Sequence, residues 1–286
     1  MRKAFLPGVT RKEGTPPPAE RVRGRWGVAL SGRTSGKKLA KKQIQKKYEN
    51  LGGPLRLILV SLLIFLVSQV FAAFIAELGL SLIHPNGGMS LDDSIGAQFV
   101  YVALAEGLAA WLVIRTVRRR GLGLGFIGLG RRPNRGDLGR ALIGFGVFYL
   151  LLIIAGVIVN SLSPDLTNQK QNLGFTNISS GSDNVLAFVS LVLLPPLGEE
   201  ILVRGYLYSG LRKLWRFAPA LLATSFIFGA AHLEIGSGSP LVWGAALDTF
   251  LLSVVLVYLR EKTGALYAGM LVHMLNNLIA FFVVIK

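Results

Sequence analysis

The chain has 286 residues, 52% of them hydrophobic and only 16% charged, with a mean hydropathy of +0.53; this excludes a soluble globule and reads as a polytopic membrane protein. The net charge of +16 does not argue for nucleic acid as a partner, because residues 1–50 alone hold 14 lysines and arginines against 3 acids and leave the rest at only +5. With no cysteine, disulfides and thiolate chemistry are excluded, while the compartment stays open.

The first 50 residues lack the short apolar core of a signal peptide and are expected to form a disordered, cytoplasmic basic tail with incidental attraction to anionic headgroups. Seven apolar stretches follow, near residues 55–83, 95–114, 141–160, 185–214, 217–235, 241–258 and 266–285, the fourth running past the membrane edge. The expected fold class is therefore all-α, a polytopic transmembrane helical bundle of about seven spans. Residues 51–184 are expected to form its N-terminal helices and loops, and 185–286 a C-terminal membrane core. Arginines crowd the connection between the second and third spans (Arg115, Arg118, Arg119, Arg120, Arg131, Arg132), and Arg212, Lys213, Arg260 and Lys262 mark two later ones. By the positive-inside rule the N-terminus is cytoplasmic and the C-terminus outside, in a multi-pass protein of the cell membrane. The stretch GLGLGFIGLG contains a formal G-x-G-x-x-G at Gly123, Gly125 and Gly128, but no strand precedes it, so it reads as a flexible interfacial loop. Asn177-Ile178-Ser179 is a glycosylation sequon that matters only in a secretory pathway.

The last third carries polar groups where a membrane helix should be apolar: EEILVR at Glu199–Arg204, FGAAH at Phe228–His232 and HMLNN at His273–Asn277. Ionisable side chains at membrane depth are costly and persist where they have partners or a task. Glu200 and Arg204, four residues apart on a helix, are expected to pair as a structural ion pair. Glu199 points about 100° away, has no local cation, and is the expected base that takes a proton from water. His232 and His273 sit on separate helices, each one turn from its motif partner. Glu77, Glu106 and Asp248 are expected to serve packing or a water cavity and stay outside the catalytic set.

In this order on successive membrane helices, EExxxR, FxxxH and HxxxN resemble the CAAX protease and bacteriocin-processing (CPBP, or Abi) family, over about residues 185–285. The resemblance implies an intramembrane endopeptidase acting on a membrane-associated peptide or protein, with the lipid bilayer as its other partner. It implies that Glu199 and His232 activate a water and that His273 and Asn277 stabilise the oxyanion. Glu200, Arg204 and Phe228 are its supporting positions. Glu199, His232 and His273 would also make an open site for a divalent metal such as zinc, with water as a fourth ligand. No HExxH is present, and metallo- and glutamate-type mechanisms both stay open, with the balance slightly against an obligatory metal. Two other readings remain: a non-catalytic protein of the same fold in bacteriocin immunity or scaffolding, and a proton-coupled transporter, against which the lack of an inverted repeat counts. His232 falls late in its span, so meeting Glu199 and His273 would require a tilted fifth helix or a fold-back of residues 233–240.

Overall fold

A computed structural model describes residues 51–86, 88–163, 178, 181–233 and 242–284. The basic tail, the sequon's Asn177 and Ser179, and nearly all of the suggested fold-back at 233–240 lie outside the described residues. Seven apolar helices are described: α1 Pro54–Ile83, α2 Ile95–Arg119, α3 Arg135–Leu162, α4 Gly181–Leu214, α5 Phe217–Ala230, α6 Trp243–Thr263 and α7 Tyr267–Val284. Five of them are long and apolar enough to cross a membrane, whereas α5 and α7 are shorter. At 14 residues, α5 reaches only about 21 Å, against a hydrocarbon core of about 30 Å. The fifth span expected to run to residue 235 thus stops at Ala230, where the chain tightens into turns with His232 N–H donating to the Gly229 carbonyl at 3.0 Å. His232 is thereby held in the turn that ends a short helix.

Helix packing follows the distribution of small residues. On α1 the buried positions are Leu57, Ser61, Ile64, Ser68, Ala72, Ala76 and Leu80, a stripe of period three to four, while Leu59, Leu63, Leu66 and Val70 stay exposed. Small side chains let neighbouring backbones approach where lipid supplies no hydrophobic drive for helix association. Ser61 and Ser68 satisfy their hydroxyls by donating to the Leu57 and Ile64 carbonyls at 2.9 and 2.8 Å. One core joins α1, α2, α4 and α5 around Leu57, Val113, Tyr206 and Leu211, and a second joins α3, α6 and α7 around Phe148, Leu256 and Val272.

The glycine-rich connection between α2 and α3 is anchored rather than free. Ile127 has no exposed surface. Arg260 donates to the Phe126 carbonyl at 2.9 Å, and Leu266 N–H donates to the Gly128 carbonyl at 3.2 Å. Gly128 has φ +84°, and a Cβ there would press on Arg260 and Leu266, so only glycine fits without strain.

The fourth helix is not a regular α-helix. Its backbone widens to π geometry at Val189–Leu193 and Glu200–Tyr208 and is α-helical between them, at Leu194–Glu199. Such widened turns are frequent at functional sites. Pro195 and Pro196 have no N–H, so the Leu191 carbonyl loses its donor in both the α and the π register. Asn277 of α7 supplies the missing donor, its Nδ2 lying 2.9 Å from the Leu191 oxygen.

Candidate active site

Glu200 and Arg204 form the floor of the site. Their side chains are 1% and 0% exposed and pair at 2.7 Å. Removing one member of such a pair strands the other charge, at a cost of about 3–5 kcal/mol. The guanidinium also lies 4.2 Å above the Phe228 ring, a cation–π contact that is strongest where water is excluded. Phe228 is the hub of the site. Its ring centre is 4.8 Å from that of His232 and 6.0 Å from that of His273, both edge-on.

His273, 5% exposed, stands between the two glutamates. Its Nε2 is 3.8 Å from Glu199 Oε2 and its Nδ1 3.4 Å from Glu200 Oε1. Glu199 Oε2 is buried without a hydrogen-bond partner, although the side chain as a whole is 22% exposed. Glu199 and His232 line the same cavity of about 330 Å³, which is walled by α1, α2, α4 and α5. His232 Nδ1 is 2.8 Å from the Phe228 carbonyl. A carbonyl can only accept, so Nδ1 carries the proton in this bond, which leaves Nε2 as the acceptor of the matching neutral tautomer.

The expected residues are therefore gathered unevenly. Glu200 pairs with Arg204, His273 stands beside both glutamates, Phe228 packs on Arg204 and His273, and His232 joins them through Phe228. Asn277 is one turn from His273, but its amide is engaged by Leu191. Among the described residues no three His, Cys, Asp or Glu side chains are close enough to hold a metal ion together. Glu199 and His273 are a suitable pair of donors, whereas the third candidate, His232, packs edge-on against the Phe228 ring. As packed, the three do not close around one ion.

Residues 181–279 match a family model described as type II CAAX prenyl endopeptidase, Rce1-like. This segment is a domain of that endopeptidase family. The Rce1-like domain runs from the start of α4 through most of α7 and holds every motif residue from Glu199 to Asn277. It sits in an all-helical, multi-pass chain with broad apolar surfaces, which fits a lipid bilayer and a membrane-associated substrate. No curated protein and no solved structure matches the chain.

Residues before the Rce1-like domain pack against the candidate site: Glu106, expected to serve packing or a water cavity, and Gln69 and Tyr101, which sequence reasoning passed over. Glu106 of α2 packs on Gly198, the residue preceding Glu199; a Cβ at Gly198 would lie 2.8 Å from Glu106 Cβ and 3.0 Å from its Cα. The two glutamates are close enough to interact electrostatically. Gln69 of α1 accepts a hydrogen bond from the Tyr101 hydroxyl of α2, and both side chains line the cavity with Glu199 and His232. The available signals were an isolated mid-span acid and a glycine directly before the paired glutamates. A third was a Pro-Pro step that strips a carbonyl of its donors.

Proposed function

We propose that the protein is an intramembrane endopeptidase that hydrolyses a peptide bond of a membrane-associated substrate by direct attack of water. Glu199 takes one proton from the water as its oxygen bonds to the scissile carbonyl carbon. The resulting oxyanion is met by donors from α7, His273 and the second N–H of the Asn277 amide, the first being held by Leu191. The C–N bond then breaks, and the proton held by Glu199 passes to the leaving amine. Neutral His232, with Nδ1–H fixed by the Phe228 carbonyl, uses Nε2 to orient the water. Glu200 and Arg204 hold the α4 turn from which Glu199 projects, and Phe228 spaces the two imidazoles.

The observation that carries this reading is a carboxylate oxygen of Glu199 with no partner, 3.8 Å from an imidazole, on a side chain that lines a cavity shared with a second imidazole. A prenylated C-terminal CAAX peptide, named in the family description, and a bacteriocin or leader peptide both belong to the proposed substrate class. The arginine-rich ends of α2, α3, α4 and α6 support a cell-membrane orientation with that face in the cytoplasm.

Quantitative mass spectrometry of membrane proteins from cells carrying the wild-type chain or Glu199→Gln tests the proposal. New C-termini present only with the wild type are expected. Identical termini, with both proteins folded at equal abundance, would leave the scaffold reading in place of the enzyme.

A further inference from the structure

A second cavity lies away from the candidate active site. It occupies about 780 Å³ between α3, α5 and α6, against about 330 Å³ for the cavity at Glu199. Its walls are apolar, including Val147, Leu151, Leu221 and Val254, and two cations, Arg140 and Lys262, also line it. Both belong to the same membrane face, because α3 begins at Arg135 where α6 ends at Thr263 and α5 begins at Phe217. From Arg140 to Leu151 along α3, and from Lys262 back to Val254 along α6, the groove runs about 12–17 Å at 1.5 Å per residue. That is close to half of a hydrocarbon core of about 30 Å, so the groove spans about one leaflet.

Among the described residues neither cation takes part in an ion pair, and the nearest acids along the chain are committed elsewhere. Asp137, one turn before Arg140, is near enough to feel the charge of Arg140, but its oxygens are directed to Arg131, from which they accept two hydrogen bonds. Glu261, beside Lys262, accepts from Arg212 and from the Tyr208 hydroxyl. Lys262 is steadied by the Tyr258 ring, its Nζ lying 5.4 Å from the ring centre. A contrasting groove along α1, at Leu66, Val67, Val70, Phe71 and Phe74, is apolar throughout. It offers nothing to a headgroup.

We propose that the groove between α3, α5 and α6 is a binding site for one anionic phospholipid. Arg140 and Lys262 hold its phosphate at the mouth, and an acyl chain lies along Val147, Leu151 and Val254. Basic pockets between membrane helices on the positively charged side recognise such headgroups, and the charge complementarity here commits the site to an anionic lipid over a zwitterionic one. The site is separate from Glu199 and His232, and the inference does not rest on the proteolytic reading.

Native mass spectrometry of the delipidated full-length protein, titrated with phosphatidylglycerol or with phosphatidylcholine of the same chains, tests this. One phosphatidylglycerol is expected to bind per protein, with phosphatidylcholine and inorganic phosphate binding far more weakly. Arg140→Gln with Lys262→Gln should weaken phosphatidylglycerol about 30-fold, from two lost contacts of about 1 kcal/mol each. Val147→Trp, which leaves both charges but fills the groove, should also weaken it. Equal affinity for the two lipids in the wild type would overturn the proposal even if a variant failed to fold. So would full competition by inorganic phosphate, or undiminished binding in the folded charge variant.

Discussion

Gly198→Ala is the sharpest perturbation of the contact between the first half of the chain and the Rce1-like domain. The added methyl would sit 2.8 Å from Glu106 Cβ and 3.0 Å from Glu106 Cα, where ordinary carbon contacts need about 3.5–4.0 Å. Part of the clash is with backbone, so no side-chain rotation relieves it. The backbones of α2 and α4 must separate by about 0.5 Å or more. Overpacking of this kind costs about 1–3 kcal/mol. The residue that moves most directly is Glu199, the next in the chain. A misplacement approaching 1 Å in catalytic geometry can cost about 100-fold in rate. Cleavage rate and thermal unfolding of the purified protein in one detergent should therefore fall together. Glu106→Gly in the same chain removes the Cβ and carboxylate and should recover part of both. A Gly198→Ala protein with wild-type stability and rate would refute the close approach of α2 to the paired glutamates.

The other predictions concern the charges around Phe228. Arg204→Met should destabilise the protein by about 3–5 kcal/mol by stranding Glu200, whereas Arg204→Met with Glu200→Gln should recover most of that loss in thermal unfolding. Asn277→Ala removes a proposed oxyanion donor and the cap on Leu191 together, and should lower kcat by about 100–1000-fold. A protein that unfolds before activity is lost would assign Asn277 to the Leu191 cap alone. Dialysis against a strong divalent chelator should leave the cleavage rate unchanged, because Glu199, His232 and His273 do not close around one ion as packed. Loss of rate restored by zinc would contradict that expectation.

The seven apolar helices were legible in the sequence because span-length apolar runs and arginine-rich connections are direct physical requirements of a bilayer. The end of α5 was not, since residues 217–233 stay apolar up to His232 and nothing local marks a stop at Ala230. The pairing of Glu200 with Arg204 followed from their spacing alone. The position of His273 between two carboxylates did not, because it depends on how α7 meets α4. Glu106 was readable only as an isolated acid, and its contact with Gly198 comes from the packing of α2 on α4. The engagement of Asn277 by Leu191 had a local cause in Pro195 and Pro196, but the identity of the donor was set by tertiary structure. The glycine-rich connection was expected to be flexible because its composition conceals what holds it: the backbone bonds to Arg260 and Leu266.

The most direct test of the account compares wild type and Glu199→Gln in identical proteoliposomes, scored by the rate at which a membrane-tethered peptide library yields new C-termini. Glutamine keeps the shape of the side chain and removes its capacity to take a proton. With both proteins showing the same unfolding temperature, the rate should fall at least about 100-fold. Cleavage by Glu199→Gln at the wild-type rate would contradict the claim that this carboxylate activates water.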